Sequence, residues 1–166
     1  TAGAIRLASE AALRSGAGMV RVYTHESSVV QVSAGRPELM VTDYNLEDAL
    51  AWATCVVIGP GLGQDEWAET VFETTMKHCQ SKNKPVVIDA DALNLLCKQS
   101  TAYTLSDSIL TPHSGEAARL LGVSIDDVES DRFNYARQCS QRYHAVCVLK
   151  GAGTLIDNEK KTWVCR

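Results

Sequence analysis

Residues 85–122, PVVIDADALNLLCKQSTAYTLSDSILTPHSGEAARLLG, decide the fold. Two apolar runs, Val86-Val87-Ile88 and Ile109-Leu110, each break at the C-terminal end into polar residues and then into a helical pattern. The first break is Asp89-Ala90-Asp91-Ala92-Leu93-Asn94 and the second is Thr111-Pro112-His113-Ser114-Gly115-Glu116. In open α/β sheets, ligands sit in the crevice beyond the carboxyl ends of the strands. Acidic, amide and imidazole groups at two consecutive strand ends therefore point to one shared site.

Upstream, Cys55 to Ile58 is a continuous apolar run ended by Gly59, the pattern of a strand buried on both faces of a parallel sheet. It leads into Gly59-Pro60-Gly61-Leu62-Gly63 and a helix over about 65–79. Such a turn either presents backbone N–H groups to a ligand at a helix N-terminus or simply turns the chain tightly. It is neither GxGxxG nor a Walker A loop. Further upstream, Thr1 enters a helical pattern that ends at Gly16 and Gly18, with Ala2-Gly3 small enough for close backbone approach. Met19–Tyr23 and Leu39–Val41 read as strands, Gly35–Glu38 as a loop, and Leu46–Ala53 as an amphipathic helix.

Downstream, Ser124 caps a long polar helix running to about Tyr143, with Asp127 three residues on. Ala145–Leu149 is another buried-type strand and runs into Lys150-Gly151-Ala152-Gly153-Thr154. That loop is either a cradle for nucleotide phosphate or a hairpin turn with an exposed lysine. The second reading follows from the strand-like runs 155–157 and 163–165 around Asn158-Glu159-Lys160. The sum is an α/β fold of three layers around a mostly parallel sheet.

Composition sets outer limits. A chain of 166 residues suffices for one domain with a real core. With 45% hydrophobic and 22% charged residues it is ordinary for a globular protein. A net charge of −4 argues against a general nucleic-acid binder. No apolar run is long enough to span a bilayer, and no signal peptide is visible. The six cysteines lack CxxC spacing and read as reduced, mostly buried thiols of a cytoplasmic protein.

Asp89 and Asp91 suit either a Mg²⁺ ion held through oxygen ligands or the capping of the following helix. His113, in a turn after Pro112, can hydrogen-bond a substrate amide or phosphate. Glu116 falls in the first turn of the next helix, where its charge suits the dipole and can also assist a metal. These residues define a nucleotide or phosphate-bearing ligand in an α/β crevice, without naming a reaction.

Taken together, GAIRLASEAALRSGAGMVRV (3–22), RPELM (36–40), VVIGPGLG (56–63), DADALNLL (89–96), ILTPHSGEAARLLG (109–122), ESDR (129–132) and VLKGAGTLI (148–156) closely resemble one family. It is the ADP/ATP-dependent NAD(P)H-hydrate dehydratases, the YjeF C-terminal domain family of the ribokinase-like superfamily, most like its bacterial ADP-dependent branch. The resemblance implies a ribokinase-like fold and nucleotide-dependent repair of hydrated NADHX or NADPHX to NADH or NADPH. In that chemistry the ring hydroxyl is phosphorylated and phosphate then leaves. By matching position it implies that Ala4, Gly61, Gly63 and His113 contact substrate, and that Lys150, Gly151, Ala152, Gly153 and Thr154 line the ADP or ATP site. Asp89, Asp91 and Glu116 would support Mg²⁺, and Asn94 would support the crevice.

It also implies a homo-oligomer and, in the parent protein, a fused epimerase domain. Here Ser114 stands where the family turn, TPHPGE, has proline, a change expected to loosen the turn slightly. The resemblance further implies a domain incomplete at both ends. A GGxGD segment carrying the catalytic aspartate is expected beyond Arg166, so the 166-residue chain is expected to be inactive alone. The competing readings are a superfamily kinase acting on a vitamin-precursor alcohol, and a non-catalytic nucleotide-binding module.

Overall fold

The computed structural model describes residues 1–99, 103, 105 and 107–165. Its N-terminal part runs α1 (Ala2–Arg14), β1 (Val20–Tyr23), a 3-10 turn (Glu26–Ser28), α2 (Val29–Ser33), β2 (Leu39–Thr42) and α3 (Leu46–Trp52). The middle is β3 (Val56–Ile58), α4 (Glu66–Lys82), β4 (Val86–Ile88), α5 (Asp91–Lys98), β5 (Ser108–Leu110) and α6 (Ser114–Leu121). It closes with α7 (Ile125–Ser130), α8 (Arg132–Tyr143), β6 (Val146–Leu149), β7 (Thr154–Asp157) and β8 (Thr162–Cys165). Among the described residues, no helix is long and apolar enough to cross a membrane.

The strands form two sheets: β1 and β2 pair in parallel, and a six-stranded sheet runs in the order β3-β4-β5-β6-β7-β8. Pairing is parallel from β3 to β6 and antiparallel through β7 and β8. Register aligns Ile58, Ile88, Leu110 and Cys147 on one face of the larger sheet. Those residues pack with Phe72, Leu93, Leu120 and Ala136 from α4, α5, α6 and α8 in one buried cluster. The opposite face carries Val57, Val87, Ile109 and Val146, and the described residues leave it uncovered. Val57 is 47% exposed there and Ile109 36%. Val56–Ile58 is therefore covered on one face, where the apolar run alone predicted burial on both.

At the smaller sheet, Val22, Val32 and Leu39 form a second cluster with Ile5 and Leu13 of α1. Helix α3 contacts β1 as well as α4. Helices thus flank β1 on both sides, while they lie on one side of β3 to β8.

Two local departures have plain causes. The predicted long helix after Ser124 is two helices. Ser124 and Asp127 make a reciprocal capping box for α7, but Asp131 leaves the helical region (φ −147°, ψ 70°) and caps α8 by accepting from Asn134 N. The stretch 24–34, which carries no helical signal of its own, holds the 3-10 turn and α2. His25 accepts from Ser27 N to start the turn, and fully buried Val32 anchors the helix. Of the cysteines, Cys79, Cys139 and Cys147 are buried and Cys55, Cys97 and Cys165 exposed, all as free thiols. The expectation of mostly buried thiols holds for half of them.

Candidate active site at the strand ends

The C-terminal ends of β3, β4, β5 and β6 meet along one rim. Gly59 follows β3 with φ 121°, and a Cβ there would lie 1.7 Å from the Asp89 carbonyl oxygen. Only glycine lets the β3 end cross the β4 end so closely. A Cβ on Gly61 would lie 2.2 Å from the Thr1 carbonyl oxygen, and the Thr1 nitrogen donates to the Gly61 carbonyl. The first turn of α1, holding Ala4, therefore abuts the glycine turn. Gly63 N donates to Asp91 Oδ2 at 2.9 Å, which ties the glycine turn to the start of α5.

At the β4 end, Ala90 adopts φ 49° and ψ −121°. That conformation is costly for a residue with a Cβ, about 1–3 kcal/mol. It sends the carboxylates on either side to different partners, and no side chain caps α5. Asp91 takes Gly63 N, while Asp89 Oδ1 accepts from Lys150 Nζ at 2.7 Å. Capping by Asp89 or Asp91, one of the two readings from sequence, is thus not what they do. Burial pushes the Asp89 carboxyl up, but the Lys150 ammonium and the Thr111 hydroxyl outweigh it and hold the group below its ordinary value.

At the β5 end, His113 is itself the cap of α6. Its Nδ1 accepts from Gly115 N at 3.0 Å and Glu116 N at 3.4 Å, and Glu116 Oε2 accepts from His113 N at 2.8 Å. An Nδ1 that accepts backbone N–H groups carries no proton, so the neutral ring donates from Nε2. The β6 end joins directly: Lys150 N donates to the Pro112 carbonyl at 2.8 Å, and His113 and Lys150 form a parallel bridge. Lys150 Nζ also lies 3.9 Å from Glu116 Oε2. One ammonium thus joins the ends of three strands. The loop beyond it, Gly151 to Gly153, is exposed. Thr154 closes it, its Oγ1 donating to the Gly151 carbonyl.

The structure therefore brings together Gly61, Gly63, Asp89, Asp91, His113, Glu116 and Lys150, with Ala4 and the Lys150–Thr154 loop on the same rim. Asn94 sits apart. Its Oδ1 accepts from Arg119 Nε at 2.9 Å, linking α5 to α6. As for Mg²⁺, each of the three carboxylates is already engaged, and the described residues contain no group of three metal-type ligands. An Mg²⁺ ion here would rest on one or two of these carboxylates, its shell completed by nucleotide phosphate and water.

Arg132, quoted from the sequence only within ESDR (129–132), is given no role there. It donates to the Leu149 and Lys150 carbonyls and to Ser114 Oγ, and pairs with Glu129. Its guanidinium lies where a Cβ on Gly151 would fall, 2.6 Å away. The helix break at Asp131 is what aims it there, and a capping aspartate just before an arginine was the available signal. Ser114 belongs to the same group, donating to Glu129 Oε1. The serine fastens the turn to α7 and α8, where loosening was expected.

A mostly parallel α/β sheet whose strand ends carry a glycine turn, a strained acidic turn, a histidine cap and a Lys-Gly loop has the architecture of the ribokinase-like class. A ribokinase-like superfamily protein from Enterococcus faecalis V583 superposes with a TM-score of 0.86 at 27% identity, covering 98% of this chain and 57% of that one. Over residues 1–166 the sequence matches the family described as NAD(P)H-hydrate dehydratase, and the chain belongs to that family.

The bifunctional NAD(P)H-hydrate repair enzyme Nnr of Escherichia coli K12 is 48% identical over 94% of this chain and 30% of its own length. The ADP/ATP-dependent NAD(P)H-hydrate dehydratase of Bacillus subtilis, co-crystallised with ATP/Mg²⁺ and soaked with CoA, has a TM-score of 0.80 at 30% identity. That match covers 98% of this chain and 60% of that one. The chain thus spans about a third of the bifunctional relative, and somewhat over half of the solved structures it matches.

Proposed function

We propose that the protein carrying this chain dehydrates NADHX or NADPHX to NADH or NADPH, using ADP or ATP. The observation that carries the reading is the convergence of Asp89, His113, Glu116 and the Lys150 loop through one ammonium, in a member of this family. Hydroxide is a poor leaving group and phosphate a good one. Phosphoryl transfer to the ring hydroxyl forms the O–P bond and breaks the terminal phosphoanhydride. The ring nitrogen lone pair then forms C=N as phosphate departs, and loss of a proton from the neighbouring carbon restores the ring double bond.

Such a reaction asks the protein mainly to position two ligands and stabilise charge. In this reading the first turn of α1 and the glycine turn seat the hydrated dinucleotide, and His113 Nε2–H donates to it. The exposed Gly151–Gly153 loop takes the nucleotide phosphates, with Lys150 fixing that loop against Asp89. A cytoplasmic, homo-oligomeric protein with a fused epimerase domain fits the same reading, the last because bifunctional relatives match this chain over most of its length.

The test adds NADHX, Mg²⁺ and either ADP or ATP to the full polypeptide and, separately, to the 166-residue chain, and follows NADH absorbance. Recovery by the full polypeptide with one nucleotide supports the reading, and recovery by the short chain would place all catalytic groups within it. A folded full polypeptide that restores no absorbance with either nucleotide overturns the reading.

A further inference from the structure

Three rings meet where β1 ends. Tyr23, the last residue of β1, lies nearly parallel to Trp67 of α4, with ring centroids 6.2 Å apart and planes inclined by 10°. His25, two residues on, meets Trp67 edge-on, with centroids 5.3 Å apart and planes at 81°. None of the three is withdrawn into the core: Tyr23 and Trp67 are half-buried and His25 is exposed.

Their place on the rim is set by the glycine turn. That turn leads directly into α4, whose first turn holds Trp67, and Tyr23, Pro60, Leu62 and Trp67 line one hollow together. In the larger sheet β3 is the edge strand and β6 lies three strands away. The rings therefore flank the glycine turn at the end of the crevice remote from the Lys150 loop.

The His25 ring is also fixed in orientation. Its Nδ1 accepts from Ser27 N at 3.3 Å and lies 2.9 Å from Ser27 Oγ. A ring nitrogen that accepts a backbone N–H carries no proton, so the neutral ring has its N–H at Nε2. The corner thus combines two perpendicular aromatic planes with one in-plane donor. A flat base with ring-nitrogen acceptors suits it: the base stacks on one ring and meets the other at its edge. An aliphatic ligand would leave that donor unused.

We propose that Tyr23, His25 and Trp67 seat the adenine base of the hydrated dinucleotide. The proposal rests on the reading of the site given above. There the hydrated ring lies between the glycine turn and His113, and the nucleotide phosphates lie on the Gly151–Gly153 loop. The adenosine half of the dinucleotide then runs the other way, past the glycine turn and onto these rings. Adenine held here touches no reacting atom. It lowers the energy of bound substrate and transition state alike, so it acts on KM and leaves kcat to the crevice. The corner makes the site prefer a dinucleotide to hydrated reduced nicotinamide mononucleotide, which has the same reacting ring and no adenine.

The test uses the full polypeptide with saturating ADP or ATP and compares NADHX with that hydrated mononucleotide. His25→Ala and Tyr23→Leu are each expected to lower the ratio of kcat/KM for NADHX to that for the mononucleotide about tenfold, as loss of one base–aromatic contact would. The loss should appear in KM and not in kcat. Trp67→Phe keeps an aromatic plane and is expected to lower the ratio only about threefold. A role confined to packing β1 against α4 would weaken turnover of both substrates alike. An unchanged ratio in His25→Ala and Tyr23→Leu therefore overturns the proposal. A wild-type polypeptide inactive on both substrates is a distinct outcome, which sinks the assigned activity and this proposal with it.

Discussion

Lys150 and Asp157 show how differently a buried or half-buried charge can be employed. Lys150 bonds Asp89 and lies near Glu116, so its removal would leave Asp89 facing burial without a counter-charge. A charge-assisted bond of this kind contributes about 1.5–3 kcal/mol. Lys150→Met is therefore expected to raise the Asp89 pKa above its depressed value, read by carboxyl NMR titration. It is also expected to cut cofactor recovery by the full polypeptide about 10–100-fold, at about 1.4 kcal/mol per tenfold.

Asp157 is fully buried on β7. Its carboxylate accepts from Ser140 Oγ at 2.5 Å, Thr162 Oγ1 at 2.5 Å and Glu159 N at 2.8 Å, with Arg137 Nε at 3.4 Å. Burial pushes this group up, and those donors outweigh it and hold it below the ordinary value. A depressed carboxyl contributes stability that is complete above the unfolded value of about 3.9 and is lost as pH falls through it toward the folded value. Asp157→Asn should cost about 2 kcal/mol at neutral pH and make the acid limb of a stability–pH curve shallower, as urea denaturation at several pH values would show.

At the scale of elements, strand-to-helix breaks were legible because composition changes sharply there. Val86–Ile88 into Asp89 and Ile109–Leu110 into Thr111 both fall at real strand ends. The hairpin around Asn158 was readable for the same reason, its turn closed by Asn158 Oδ1 accepting from Lys161 N. What escaped reading depends on contacts made far along the chain. The break at Asp131 looks like one more polar residue in a polar helix until α8 is seen to aim Arg132 at the β6 loop. The partners of Asp89 and Asp91 follow from the backbone twist at Ala90, which no side-chain pattern announces.

The α7–α8 junction is thus a positioning device for the Lys150–Thr154 loop. Asp131→Ala should cost about 1 kcal/mol through the lost cap. Arg132→Ala should speed amide exchange at Gly151–Gly153 while leaving that of Phe72 and Met76 in α4 unchanged. Arg132→Lys should only partly restore protection, since an ammonium lacks the planar fork that reaches two carbonyls.

Across the whole molecule, the sheet face bearing Val57, Val87 and Ile109 continues through Val148 and Ile156 to Trp163, which is 42% exposed. The described residues leave this apolar face open to solvent, where an apolar dye can bind it. The 166-residue chain is expected to enhance the fluorescence of an apolar dye such as ANS, and Ile109→Lys with Val57→Lys should reduce that signal by about half. An unchanged signal would mean that the dye binds elsewhere.

The same sheet has a consequence in time. Its parallel pairings join residues far apart in sequence, such as Val56 with Val86 and Ile109 with Val146, whereas β7 and β8 are joined by a short turn. Loop-closure entropy must be met before distant contacts repay it, so parallel ladders form slowly. The β7–β8 hairpin, turning at residues 158–161, can assemble within about 1–10 microseconds. The four strand ends that make the crevice come into register only with the last crossovers, so the chain gains its edge long before it gains its site.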